Sequence, residues 1–224
     1  MSTQNESETR EITGKVERRS TRMAASINRI DGQPPRVEGY AAVFYRSDVE
    51  GTQYRMYPDL VERIDSGAFN RAIAEKHDCR CLVNHDPNLR LGRVKNDTLQ
   101  LRVDDRGLFY SCELPDTQVG RDTATDLASG LLDASSFAFS VAAQRWEDIK
   151  QDDGSMLTIR TITDVDLYDC APVTYPAYEA TSSGLRTAES TDDVIAQRDA
   201  WRSAQREAEA VKVRLRALEV AEAE

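Results

Sequence analysis

The chain has 224 residues, of which 40% are hydrophobic, and carries a formal net charge of −10 with a pI near 4.9. That length supports one ordinary domain with extensions, and the acidic balance, without any cluster of Lys and Arg, excludes the nucleic-acid backbone as main partner. No stretch approaches the roughly 18 apolar residues of a membrane span, and the N-terminal MSTQNESETREITGKVERR lacks an apolar signal region, so a cytosolic protein is expected. Its four cysteines (Cys79, Cys81, Cys112 and Cys170) then read as reduced thiols.

Residues 1 to about 35 are polar and end in DGQPPR, which predicts a mostly disordered leader. VEGYAAVFY (37–45) reads as a strand, and RIDSGAFNRAIAEK (63–76) as a short helix capped by Asp65 or Ser66. CRCLVNH (79–85), LGRV (91–94), TLQLRV (98–103) and GLFYSCEL (107–114) are short β-like runs broken by turn residues, the pattern of an antiparallel meander. A second helix is expected over 116–132, although Gly120 weakens it by about 1 kcal/mol relative to alanine. SSFAFSVAAQRW and MLTIRTITDVDLYDCAPVTY add two or three strands. The sum is a mostly β, α+β domain over 36–181: a closed or nearly closed antiparallel β-barrel, or a sandwich, decorated by short helices.

After a linker at 182–191 the pattern changes. Val194, Trp201, Ala204, Ala208, Val211, Leu215 and Leu218 recur at three- and four-residue steps, which predicts a long C-terminal helix over about 192–224. Its seam is narrow and partly alanine. It fits a coiled-coil-like, partner-binding arm better than a helix docked on its own domain.

Only two histidines are present, so proton transfer near neutral pH has few places to occur. His85 closes an apolar run just before Asp86-Pro87, whereas His77 lies in a polar segment. His77, Cys79, Cys81 and His85 form an H-x-C-x-C-x3-H string that invites a zinc reading. Alternate residues of a strand stand about 6.5 to 7 Å apart, however, and cannot easily converge on one ion at about 2.0 to 2.3 Å. Half-buried strand cysteines are the better reading.

A histidine base needs a nucleophile on one nitrogen and an orienting group on the other. In GLLDASSFAFSV, Ser135 alternates with Phe137 and Phe139, while Ser136 shares the opposite face with Ala138, where small neighbours leave room for a substrate. Ser136 is therefore the favoured nucleophile. Of three acids in DVDLYDCAPV, Asp169 alone alternates with Val165 and Leu167 on the apolar side, where a carboxylate needs a partner. An imidazole, a backbone amide or an arginine would each serve.

EGYAAVF (38–44), E-x-I-x-x-GAF (62–69), NHD (84–86) with LGR (91–93), DDRGL (104–108), SFAF (136–139) and L-x-D…PVTYPAY (167–178) occur in one order. Together they resemble the tailed-bacteriophage prohead protease family, capsid-maturation serine peptidases similar in fold to the herpesvirus assemblins. The resemblance covers about residues 37–180. Carried onto this chain, it places the catalytic histidine at His85, the serine at Ser136 and the third member at Asp169, where the family usually has a glutamate. Arg93 or Arg160 could add a charged oxyanion donor.

What the resemblance implies is a serine endopeptidase that needs no metal or organic cofactor. Its substrates would be the major capsid protein's scaffolding segment, or a separate scaffold protein, and the protease itself, inside an assembling procapsid in the host cytoplasm. No nucleic-acid or membrane partner is expected, and self-association could run through the C-terminal helix. The competing reading is a non-enzymatic capsid assembly or scaffold-type protein that keeps the protease fold; a zinc-bound structural module stands third.

Overall fold

One long hairpin organises the architecture, and the remaining strands are added along its two sides. The computed structural model describes residues 15–21, 25–175 and 188–222. In chain order the elements are β1 (Glu17–Thr21), β2 (Ser26–Asn28), β3 (Arg36–Val43), β4 (Tyr54–Tyr57), β5 (Leu60–Ile64) and α1 (Asn70–Ala74). Then come β6 (Arg80–Leu82), β7 (Arg90–Arg93), β8 (Leu99–Asp104), β9 (Gly107–Glu113), α2 (Gln118–Ser129), β10 (Ala134–Lys150), β11 (Met156–Val173) and α3 (Ala188–Glu222). The hairpin is β10–β11.

The strands form two sheets, and neither closes on itself. The larger runs β1-β10-β11-β5-β4, with β6 and β7 added beside the far half of β11; the smaller runs β2-β3-β9-β8. This corrects the expectation of a closed or nearly closed antiparallel barrel. Closure would need edge strands to pair with each other, but β1 and β4 end the main path of the large sheet as β2 and β8 end the small one. The pairing is also mixed. β11 is long enough to take β5 along Thr158–Ile162 and β6 at Asp169–Cys170, both parallel, so the expected meander is split between the two sheets.

One apolar core lies between the sheets. Val37 and Ala41 of β3, Leu108 and Tyr110 of β9, Phe137 and Phe139 of β10, and Ile162 and Val165 of β11 meet there with Phe69 and Ala72 from the α1 region. Phe137 stacks on Phe139 at 4.7 Å between centroids and meets Phe69 edge-on at 5.5 Å. Burying each such ring contributes about 1.5–3 kcal/mol.

The helices differ from expectation at their ends. β5 continues to Ile64, and the Asp65 carboxylate accepts from Gly67 N at 2.9 Å in a turn, so α1 starts only at Asn70 rather than at 63. Gly120, a weak point by propensity, is required by packing: a Cβ there would lie 2.0 Å from the Pro115 carbonyl oxygen.

A correction also applies to the leader. Two strands, β1 and β2, occur within the segment expected to be disordered. Glu17 and Arg19 are both buried, because Glu62 of β5 and Arg160 of β11 neutralise them; composition alone cannot show a match across 40 residues or more. Residues 1–14, 22–24 and most of the expected linker at 182–191 lie outside the described residues, as do Pro176, Ala177 and Tyr178 of the PVTYPAY motif.

The C-terminal helix is one element with two environments. Val194 is 1% exposed among Met56, Leu60 and Trp146, and Trp201 stacks on Trp146 at 6.3 Å. Arg198 donates to Asp59 at 2.9 Å, and Arg202 to Asp148 and Thr158. Beyond this docked stretch Val211, Val213, Leu215 and Leu218 are each more than half exposed.

Candidate active site

Ser136 sits on β10 with its side chain on the face opposite Phe137 and Phe139, as the alternation predicts. Its cross-strand partners are Ser20 of β1 on one side and Ala171 of β11 on the other. The room expected above Ala138 is absent: Ser136 and Ala138 are each 1% exposed. Ala134, Ala171 and Val173 form a small apolar cluster of their own on this side of the hairpin.

Asp169 reaches the same face by an irregularity that alternation cannot reveal. Ala138 pairs with Asp169 but Phe139 pairs with Leu167, so β11 advances two residues while β10 advances one. Tyr168 is the extra residue of this β-bulge, and its hydroxyl lies 2.8 Å from Ser140 Oγ. Leu167 and Cys170 consequently both enter the core, three residues apart, and Asp169 is turned to the serine's face. The expectation that Asp169 shares the apolar side with Val165 and Leu167 is therefore wrong, although the need for a partner is right.

His85 is supplied from the other side of β11. It stands not on a strand, as CRCLVNH implied, but on a single 3-10 turn after β6, at Val83–His85. Asn84 and His85 have φ of 53° and 59°, left-handed conformations that few non-glycine residues adopt and that asparagine tolerates best. The turn is tied down by the Asn84 amide. Its Oδ1 accepts from Thr174 N at 2.9 Å, and its Nδ2 donates to Thr174 Oγ1 at 3.3 Å, just past the end of β11. Asp86 then closes an Asx turn by accepting from Asn88 N at 2.7 Å.

These three placements bring His85, Ser136 and Asp169 together. His85 Nδ1 donates to Asp169 Oδ1 at 2.5 Å, and His85 Nε2 lies 2.7 Å from Ser136 Oγ. The ring and the carboxylate have side-chain exposures of 9% and 11%, so both bonds form largely shielded from water. The order carboxylate, imidazole, hydroxyl suits nucleophilic catalysis at an acyl carbon.

The serine hydroxyl has a second neighbour that sequence reading missed. Ser136 Oγ donates to the Arg19 carbonyl oxygen at 2.9 Å. Arg19 lies in the expected leader, and nothing in its local sequence marks it; Asn84 was missed as well, its one sequence signal being that asparagine tolerates left-handed backbone.

Other singled-out residues have different tasks. Arg160 bonds to Glu17, Glu62 and Gln144, and Arg93 to Asp78, so both candidate oxyanion donors are engaged elsewhere. His77 accepts from Leu167 N at 3.3 Å and its Nε2 lies 3.3 Å from Arg71, away from His85. The H-x-C-x-C-x3-H string is thus not drawn to one point, and among the described residues no group of three or more His, Cys, Asp or Glu side chains could hold a metal. All four cysteines are buried and free, with Cys79 Sγ 3.9 Å from Cys170 Sγ. Burial and the neighbouring Cys112 hold the Cys81 thiol well above its ordinary pKa, while the Cys79 contact and burial do so for Cys170. None is poised as a nucleophile.

No curated protein matches the chain. Among solved structures, the bacteriophage T4 capsid assembly protease gp21 matches at 10% identity and a TM-score of 0.43, covering 73% of this chain and 99% of that one. The model of the caudovirus prohead serine protease family matches residues 23–194, a span that contains all three side chains of the site. The chain belongs to the caudovirus prohead serine protease family.

Proposed function

We propose that this protein is a serine endopeptidase of phage capsid maturation, with Ser136 as nucleophile, His85 as general base and acid, and Asp169 as the group that orients the ring. The observation that carries the reading is the continuous chain Asp169–His85–Ser136, with contacts of 2.5 and 2.7 Å. His85 Nε2 takes the serine proton as Oγ attacks the peptide carbonyl. The tetrahedral intermediate collapses to an acyl-enzyme, and the same nitrogen returns the proton to the leaving amine. Water then repeats the sequence and frees the acid product. Asp169 stabilises the imidazolium without taking its proton.

The shorter acid in place of the family's usual glutamate motivated the non-enzymatic reading. In this fold the bulge at Tyr168 carries Asp169 to within 2.5 Å of the ring, so aspartate spans the gap. Substrates on this proposal are scaffolding segments of capsid proteins and the protease itself, cleaved within the procapsid. The exposed end of α3, beyond Trp201, would bring the enzyme in by pairing with scaffold helices. On this proposal β1 belongs to the protease domain. No helix among the described residues is long and apolar enough to cross a membrane.

Ser136→Ala decides the matter. The variant is expected to fold, to lose cleavage of a co-expressed scaffold and to lose any discrete self-cleavage product; full activity in that variant excludes this nucleophile. Deletion of residues after about 205, which leaves the docked stretch through Arg202 in place, is expected to reduce capture into procapsids while sparing cleavage in solution, and unchanged capture excludes the arm's proposed role.

A further inference from the structure

A nucleophile that is 1% exposed cannot meet a polypeptide, and the strand beside it explains the closure. β10 has β11 on one side and only β1 on the other. β1 pairs antiparallel with it from Glu17 opposite Phe139 to Thr21 opposite Ser135, so the Arg19–Ser20 peptide unit lies beside Ser136. The Arg19 carbonyl accepts the hydroxyl's single proton at 2.9 Å, the proton that His85 must receive for attack to begin. An extended segment lying along the nucleophile's strand with a carbonyl on the nucleophile is how a peptide substrate would lie.

The inward side chains of β1 show what such a segment must carry. Arg19 reaches Glu62 at 2.5 and 2.9 Å, and Glu17 accepts from Arg160 at 3.0 Å twice. Glu62 and Arg160 are themselves paired at 2.6 Å, and both are 0% exposed. These four charges therefore make a neutral set among the described residues, of which β1 brings one of each sign. Withdrawal of β1 leaves Glu62 still paired with Arg160, so no buried charge is stranded. It also uncovers the hydrogen-bonding edge of β10, ready to take another strand.

Building on the protease reading, we propose that the β10 edge beside Ser136 is the substrate groove, that Glu62 and Arg160 select an acidic-x-basic peptide segment there, and that β1 is a built-in competitor for it. Glu62 favours a basic side chain where Arg19 lies, and Arg160 an acidic one two residues earlier. Exchanging the two charges would set like against like in a buried site and weaken binding. Cleavage then requires β1 to leave.

The test locks β1 in the full-length chain. Thr21 and Ser135 are cross-strand partners, and such antiparallel pairs have Cα separations of about 4.5–5.5 Å, within the range a disulfide accepts. Ser135 is on the core face, away from Ser136. In T21C/S135C, oxidation is expected to slow fluorophosphonate labelling of Ser136 and cleavage of casein by at least about 100-fold, with recovery on reduction. In the wild-type chain, a peptide of residues 15–21 is expected to inhibit labelling, and one with Glu17 and Arg19 exchanged to do so at least about 10-fold less well. Equal activity of locked and reduced forms overturns the competitor role; equal inhibition by the two peptides overturns the charge selection. If neither form nor the wild-type chain labels at Ser136, the protease reading fails and the inference with it.

Discussion

Leu167 and Asp169 are two residues apart on one strand and face opposite sides of it, because Tyr168 is inserted between two consecutive pairs of the β10–β11 ladder. A regular strand would have left the carboxylate among phenylalanines, where its desolvation would be costly. The bulge exchanges that cost for a 2.5 Å bond to His85. Asp169→Asn keeps the shape but removes the charge that fixes the tautomer and stabilises the imidazolium. Its kcat is expected to fall by about 10³–10⁴ with little change in KM, measured on a peptide substrate.

Asn84 acts on His85, the proposed base, through the backbone. Its left-handed conformation and its two bonds to Thr174 hold the turn that carries His85. Asn84→Ala pays for left-handed backbone and loses the amide, whereas Asn84→Gly loses the amide alone. We expect kcat to fall by about 10-fold in the glycine variant and further in the alanine one, with KM held, as misplacement of a base predicts. Wild-type kcat in both would remove the positioning role.

Phe137 links the site to the core, following Ser136 in sequence and stacking on Phe139 behind it. At 0% exposure its truncation leaves a cavity the sheets cannot fill. Phe137→Ala is expected to lower unfolding free energy by about 3–5 kcal/mol, seen as a lower urea midpoint, and Phe137→Leu to cost less.

Acid is expected to loosen β1. Burial raises the pKa of Glu17, but the Arg160 hydrogen bond and the charges of Arg19 and Arg160 outweigh it, and the net shift is downward from 4.5. A depressed carboxylate contributes stability that is fully present above its unfolded value and is lost as pH falls through the folded one. The urea midpoint should therefore decline below pH 4.5, with a shallower decline in Glu17→Gln. Identical slopes would show that Glu17 is not the titrating group.

What the sequence disclosed depended on whether a feature was periodic. Ser136 was legible because β10 alternates regularly from Ser135 to Phe139, and His85 because the chain has so few imidazoles. β3 and β7–β9 fell within a residue or two of their runs, and α3 followed its heptad-like steps. β4 and β5 escaped notice because their apolar residues are few and interrupted by Arg55, Glu62 and Arg63. The open two-sheet arrangement was not legible because β11 pairs in parallel with distant β5 and β6, and no local pattern encodes such partners. β1 was hidden for a related reason, its buried charges Arg19 and Glu17 being matched by residues 43 and 143 positions away.

The hairpin also carries its turn far from the candidate site. Ser136 and Asp169 stand near one end, while the 151–155 turn forms the other, roughly 45 Å away at a strand's rise per residue. On the proposed function, a fluorophore or a short epitope inserted at that remote tip is expected to report capture while leaving bond scission unaltered, so capture and turnover become separable observables in one molecule.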